Sequence, residues 1–187
     1  MKNTISERYF FLQFVTESDS LFKQRADRFA FLNAWRACFA QKIKTCAYVL
    51  IPGRFGVIIS VQSSEPVSPE NMLSYVCEKL RSRFVGVLTV SELEVFLQRA
   101  YAEELSTEKE CIYRAFDIHT MPQRYHVSTD YRSYPFSSFL ALSTGRPSSV
   151  DQKTVWNWFG GRMRFSLFHQ AYYGWVQPDA MLDKAYA

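Results

Sequence analysis

No CxxC pair occurs in this chain, and its four cysteines (Cys38, Cys46, Cys77 and Cys111) lie far apart in 187 residues. A chain of that size buries enough core to fold without covalent staples, so reduced and mostly buried thiols are expected rather than a disulfide framework. Long apolar runs are missing too. The opening MKNTISERYFFLQFV sets acidic and basic residues around a short apolar stretch, which fits neither a secretory signal nor a membrane span. A cytoplasmic protein with no membrane association is expected. There is no low-complexity tract, internal repeat or clear linker, and hydrophobic residues at 48% with aromatics at 17% exclude extended disorder outside the termini. Histidine is scarce: His119 and His126 straddle Pro122, and His169 lies in the tail. Without ligand spacing, surface or hydrogen-bonded roles are expected for all three, and neither a metal nor another cofactor is expected.

Charge is present but uneven. The formal net charge is +4, with 9 Lys/Arg against 4 Asp/Glu in residues 1–60, 6 against 10 in 61–120 and 7 against 4 in 121–187. Basic ends around an acidic middle suit a polarised surface that could meet a polyanion, although excesses of this size also occur in proteins that bind none.

Periodicity gives an order of elements. Arg8 to Thr16 reads as a strand, followed by a helix with Phe22, Ala26, Phe29, Leu32 and Phe39 on its inner face. Residues 45–51 and 55–61 form a hairpin about Pro52-Gly53, a favoured type II turn pair. Ser68-Pro69-Glu70 opens a second helix, with a buried stripe of Leu73, Val76, Cys77, Leu80 and Phe84. The run from about Val87 to Ala100 is expected to be a strand, and Thr107 with Glu110 a capping box for a third helix ended by Pro122. This is the α+β, ferredoxin-like order of an antiparallel sheet with helices on one face, plus an added helix. Residues 1–150 are expected to form that domain, and 151–187 an aromatic-rich helical C-terminal extension packed on it.

Four segments carry a family likeness. AYVLIPGRFGVII (residues 47–59) resembles the strand Tyr-Val-Leu-Met-Pro-Asn-His-X-His-Leu-Leu of the single-tyrosine HUH transposases, specifically the REP-associated group. DIHTMP (117–122) resembles Tyr-Ile-His-X-Asn-Pro, DYRSYPFSSF (130–139) resembles Asp-Tyr-Pro-Trp-Ser-Ser-Tyr, and WFGGRMRFSLF (158–168) resembles the C-terminal Phe-Gly-Gly element. The resemblance implies a transposase IS200-like fold and an ancestry in DNA processing. In that family two alternate histidines on one strand hold a divalent cation and a helix-borne tyrosine attacks the scissile phosphate. The matching histidine positions here are Arg54 and Gly56, the tyrosine position is Asp117, and the polar residue before the proline is Met121. Arginine has no lone pair to donate and glycine has no side chain, so the resemblance implies a degenerate site with no catalytic residue and no metal.

The residues that remain admit two readings each. Arg54 either holds a phosphate through paired hydrogen bonds or pairs with Asp117 in a filled pocket. Lys79, Arg81 and Arg83 either complement the negative end of the second helix or contact a DNA backbone, and Trp156, Trp158, Phe159 and Phe165 either stack on bases or fill a core. Tyr113, Tyr125 and Tyr131 lie near the tyrosine position, with packing as the simpler role. The sequence reading is an inactive transposase-like DNA-binding protein for single-stranded or hairpin DNA, with Arg54, Lys79, Arg81 and Arg83 as nucleic-acid contacts. Its alternatives are a protein interaction module on the same scaffold, with a protein partner, and a nuclease with a relocated site.

Overall fold

A computed structural model describes residues 6–16, 21–39, 42–63, 66–84 and 86–172. Its four strands, β1 (Ser6–Val15), β2 (Lys44–Ile51), β3 (Arg54–Ser63) and β4 (Tyr101–Leu105), make one antiparallel sheet in the order β2-β3-β1-β4. That order is the ferredoxin-like one. The hairpin turns at Gly53, whose φ of 69° suits glycine, and its N–H and C=O bond Leu21 O and Thr16 N at 2.8 Å each.

The first two long helices share one face of the sheet, as expected of the ferredoxin-like unit, while the added helix and the C-terminal helices cover the other. Residues adjacent along a strand point to opposite sides, so Phe55 and Gly56 of β3 face different layers. Phe55 meets Phe31 and Trp35 of α1 (Arg25–Phe39) at ring distances of 5.0 and 4.9 Å. Phe31 also touches Phe84, the C-cap of α2 (Pro69–Arg83), and Phe96 of α3 (Val90–Gln98). Gly56 faces α4 (Glu108–Arg124) on the other side, and the short helices α5 (Phe139–Thr144), α6 (Gln152–Phe159) and α7 (Arg162–Ala171) extend that layer.

Three local expectations change. The α1 stripe is Phe31, Trp35 and Phe39, while Phe29 is exposed. Phe22 precedes the helix in a left-handed conformation (φ 63°), fixed by Arg28 Nη1 bonding its carbonyl at 2.5 Å and by its ring on Phe31. The expected strand over 87–100 is α3, because Thr89 and Glu92 close a capping box and Leu93, Phe96 and Leu97 fall on one helical face; the strand follows as β4. Pro122 does not end α4, which runs on to Arg124; in the last turn a proline forfeits one backbone bond, and its own carbonyl accepts from Val127 and Ser128. The Ser68 and Thr107 caps are both formed.

Residues 134–151 protect the outer edge of β2. Leu50 N donates to Phe136 O at 2.9 Å, Ser138 N to Tyr48 O at 3.0 Å and Asp151 N to Thr45 O at 2.8 Å, while the Tyr134 hydroxyl reaches Leu50 O at 2.9 Å. Unpaired amides and carbonyls that would invite another strand are thereby satisfied.

Candidate functional site

Arg54 and Gly56, two residues apart, lie on the face of β3 that α4 covers. A Cβ at position 56 would stand 3.7 Å from Ile118 Cγ1 and 3.7 Å from both Sδ and Cε of Met121. Both side chains are buried, at 0% and 3% exposure. The space over the glycine is therefore occupied by hydrocarbon and a thioether from α4. Burying Met121 contributes about 1.5–3 kcal/mol.

Arg54 and Asp117 do not pair, contrary to one expectation. Asp117 receives Arg124 Nη2 on Oδ1 at 2.5 Å and Arg114 Nη1 on Oδ2 at 3.2 Å, both from its own helix. Arg114 also pairs with Glu103 of β4 and lies 4.4 Å from the ring centre of Phe11. The Arg54 guanidinium sits 4.4 Å over the ring of Tyr125, the C-cap of α4. Arg114 stands three residues before Asp117, a neighbouring position on a helix, and Arg124 reaches back two turns, so partners from the same helix prevail.

Deeper in the same layer lies a polar chain that sequence spacing does not reveal. His119 Nδ1 is 3.0 Å from His169 Nε2, His119 Nε2 is 2.8 Å from Ser138 Oγ, and His169 Nδ1 is 2.9 Å from Phe165 O. A carbonyl only accepts, so His169 carries its proton on Nδ1 and presents a bare Nε2. His119 then donates from Nδ1 and accepts the Ser138 hydroxyl on Nε2, and Ser138 accepts the Tyr48 amide at 2.9 Å. Every partner is satisfied with both rings neutral. Burial drives this: it depresses His119 well below its ordinary value of 6.5 and His169 to about 4. The expectation of hydrogen-bonded histidines holds for these two, 50 residues apart, while His126 is exposed at the end of α4.

The four resembling segments thus converge. Gly56 of the first touches Met121 of the second, His119 of the second bonds Ser138 of the third, and the Phe165 ring of the fourth packs on His169 at 4.2 Å. Tail aromatics serve the core: Trp158, Phe159 and Phe165 are buried, and Trp156 donates Nε1–H to Leu142 O at 3.0 Å. Tyr131 is fully buried with its hydroxyl on His169 O, whereas Tyr113 is exposed.

Lys79, Arg81 and Arg83 belong to α2, in the layer opposite Arg54, so the four expected nucleic-acid contacts do not share one face. Arg81 is engaged by both carboxylate oxygens of Glu94 on α3, at 2.8 and 3.0 Å. Lys79 lies 5.5 Å over the Tyr75 ring. Among the described residues no three His, Cys, Asp or Glu side chains form a metal-holding group, and no helix is long and apolar enough to cross a membrane.

The fold is transposase-like. A solved structure of a REP-associated tyrosine transposase bound to a REP hairpin is similar to this chain with a TM-score of 0.52 and 15% sequence identity, covering 76% of this chain and 82% of that one. No protein-family model matches the chain, and no curated protein matches it.

Proposed function

We propose that this protein is a catalytically inactive, transposase-like DNA-binding protein whose target is single-stranded or hairpin DNA. The observation that carries the first half is the packing of Ile118 and Met121 onto Gly56. Where the resemblance calls for two imidazoles and a tyrosine, the chain offers a guanidinium on an aromatic ring, a glycine under a thioether and a carboxylate clasped by two arginines. A guanidinium and a thioether do not coordinate a hard divalent cation, the carboxylate is taken up in ion pairs, and no tyrosine hydroxyl stands at position 117 to attack phosphorus. The DNA half is supported by the likeness to the hairpin-bound transposase and by the basic excess at both ends of the sequence.

Incubation with labelled hairpin and single-stranded DNA in Mg²⁺ or Mn²⁺, followed by denaturing electrophoresis, tests inactivity. No cleavage and no covalent protein–DNA species are expected; a phosphotyrosine adduct refutes the proposal. Retention of either DNA in an anisotropy titration at about 50 mM salt, where even non-specific contacts are strong, tests the binding half. A protein interaction module is the second reading, favoured by Met163 and Leu167, one turn apart on α7 and exposed at 75% and 55%. It takes over if no DNA form is retained.

A further inference from the structure

The cations of α2 that lack an acidic partner open onto a groove away from the α4 face. Two adjoining hollows of about 490 and 670 Å³ share Lys42 and Tyr75 in their walls. The first runs between α1 and α2 and adds Lys79 and Arg83; the second continues past Asn71 to the end of β3 at Gln62. Among the described residues no carboxylate lines either hollow, and none of Lys42, Lys79 and Arg83 makes an ion pair. Arg81, next to them on the helix, spends its charge on Glu94. Three cations along one concavity, with a half-buried aromatic ring at its middle and amides at its far end, form a surface that offers phosphate contacts and one stacking position.

We propose that this groove is the track for an unpaired nucleic-acid strand, with Lys42, Lys79 and Arg83 on backbone phosphates and Tyr75 as a platform for one base. The inference rests on the DNA-binding reading and adds where the strand lies: across the α1–α2 layer, on the side of the sheet away from Gly56 and Met121. A duplex is disfavoured because its bases are paired and cannot reach Tyr75. An acidic peptide would match the cations but leave the ring without a stacking partner, whereas a single strand offers phosphate and base in turn.

The test uses the full chain and a labelled oligothymidylate in anisotropy titrations between about 50 and 300 mM salt. Each phosphate neutralised on a single strand adds about 0.7 to the slope of log affinity against log salt, so Lys42→Ala/Lys79→Ala/Arg83→Ala should lower that slope by about 2 and weaken binding about tenfold or more. A charge-matched control, Lys109→Ala/Arg146→Ala/Lys153→Ala, removes three exposed cations elsewhere and should leave the slope near wild type. If the alanine triple does not fold, the glutamine triple at 42, 79 and 83 keeps the side-chain stems and loses the charge. Wild-type binding with equal slopes for both triples overturns the groove while leaving the DNA reading intact. Absence of wild-type binding to any DNA form removes both. Polyglutamate bound by wild type with the same salt dependence, and released by the groove triple, overturns the nucleic-acid assignment in favour of an acidic protein partner.

Discussion

Acid should loosen this fold before its carboxylates titrate, because two fully buried histidines must stay neutral. His119 and His169 sit in a hydrogen-bond chain that is complete with both rings neutral, from the Phe165 carbonyl at one end to Ser138 and the Tyr48 amide at the other, and burial opposes charging either ring. In the unfolded chain both rings take up protons near 6.5, while in the fold burial holds His169 to about 4 and His119 well below 6.5. Below 6.5 the unfolded state therefore binds more protons, so stability is fully present above that pH and falls as the pH falls towards the folded value. At about 1.4 kcal/mol per pH unit for each proton bound only by the unfolded chain, acidification from 6.5 towards 4 removes roughly 3 kcal/mol through His169 alone. His119 adds to the loss in the same direction. Against a typical total of about 5–15 kcal/mol this is a large fraction. Urea unfolding followed by tryptophan fluorescence at intervals between pH 7.5 and 4.5 measures it. His169→Gln, which keeps a neutral polar group, should be less stable at pH 7.5 but lose about one proton's worth of slope below 6.5. A wild-type stability that stays flat from pH 6.5 to 4.5, or a variant with an unchanged slope, refutes the neutral-relay account.

The remaining predictions concern the α4 interface. Gly56→Ala should change stability by less than about 1 kcal/mol, since its methyl makes ordinary contacts at 3.7 Å and a less flexible unfolded chain offsets small losses. Gly56→His should cost about 1–3 kcal/mol by overpacking, and adding Met121→Ala should restore part of it; chemical denaturation of the single and double variants decides, and strictly additive effects count against direct contact. Asp117→Asn removes the charged oxygen that Arg124, whose side chain is only 15% exposed, meets on its own helix. A loss of about 1 kcal/mol, or about 2–4 °C in a thermal melt, is expected, and an unchanged melting temperature would show that solvent already screens the pair.

Which parts of this fold are legible in the sequence follows from the range of the interactions that fix them. The hairpin at Pro52-Gly53 and the Ser68 and Thr107 caps depend on residues within four positions of one another, and all stand where their chemistry puts them. Residues 87–100 are dense enough in apolar side chains to suggest a strand, yet the Thr89-Glu92 capping box in the same stretch is the local signal that prevails. Phe22 fits the spacing of the α1 stripe because spacing alone cannot reveal a left-handed residue just before a helix. The candidate site divides in the same way. Segment likeness gathers Arg54, Gly56, Asp117 and Met121 around one helix and strand, but the partners of Asp117 are settled by its own helix, and the relay joins residues 19 and 50 positions apart. Nothing in the local pattern of His119, Ser138 or His169 signals that they meet.

Convergence on α4 gives the Gly56 contact a consequence beyond its own volume. The helix is held at three points: Met121 and Ile118 against the sheet, His119 to Ser138 and His169, and Arg114 to Glu103 of β4. Ser138 also accepts the Tyr48 amide at the edge of β2, so an outward shift of α4 that admitted larger groups at position 56 would pull on the same hydroxyl that satisfies that strand. Because a close-packed interior has no slack to absorb such a shift, changing the side chains at 54, 56 and 117 to two histidines and a tyrosine does not by itself create a cavity for a metal and a phosphate. On the proposed reading, inactivity is then a property of the packing as well as of the missing ligands, and DNA binding through the α1–α2 groove is free of that constraint because its cations project from the other layer.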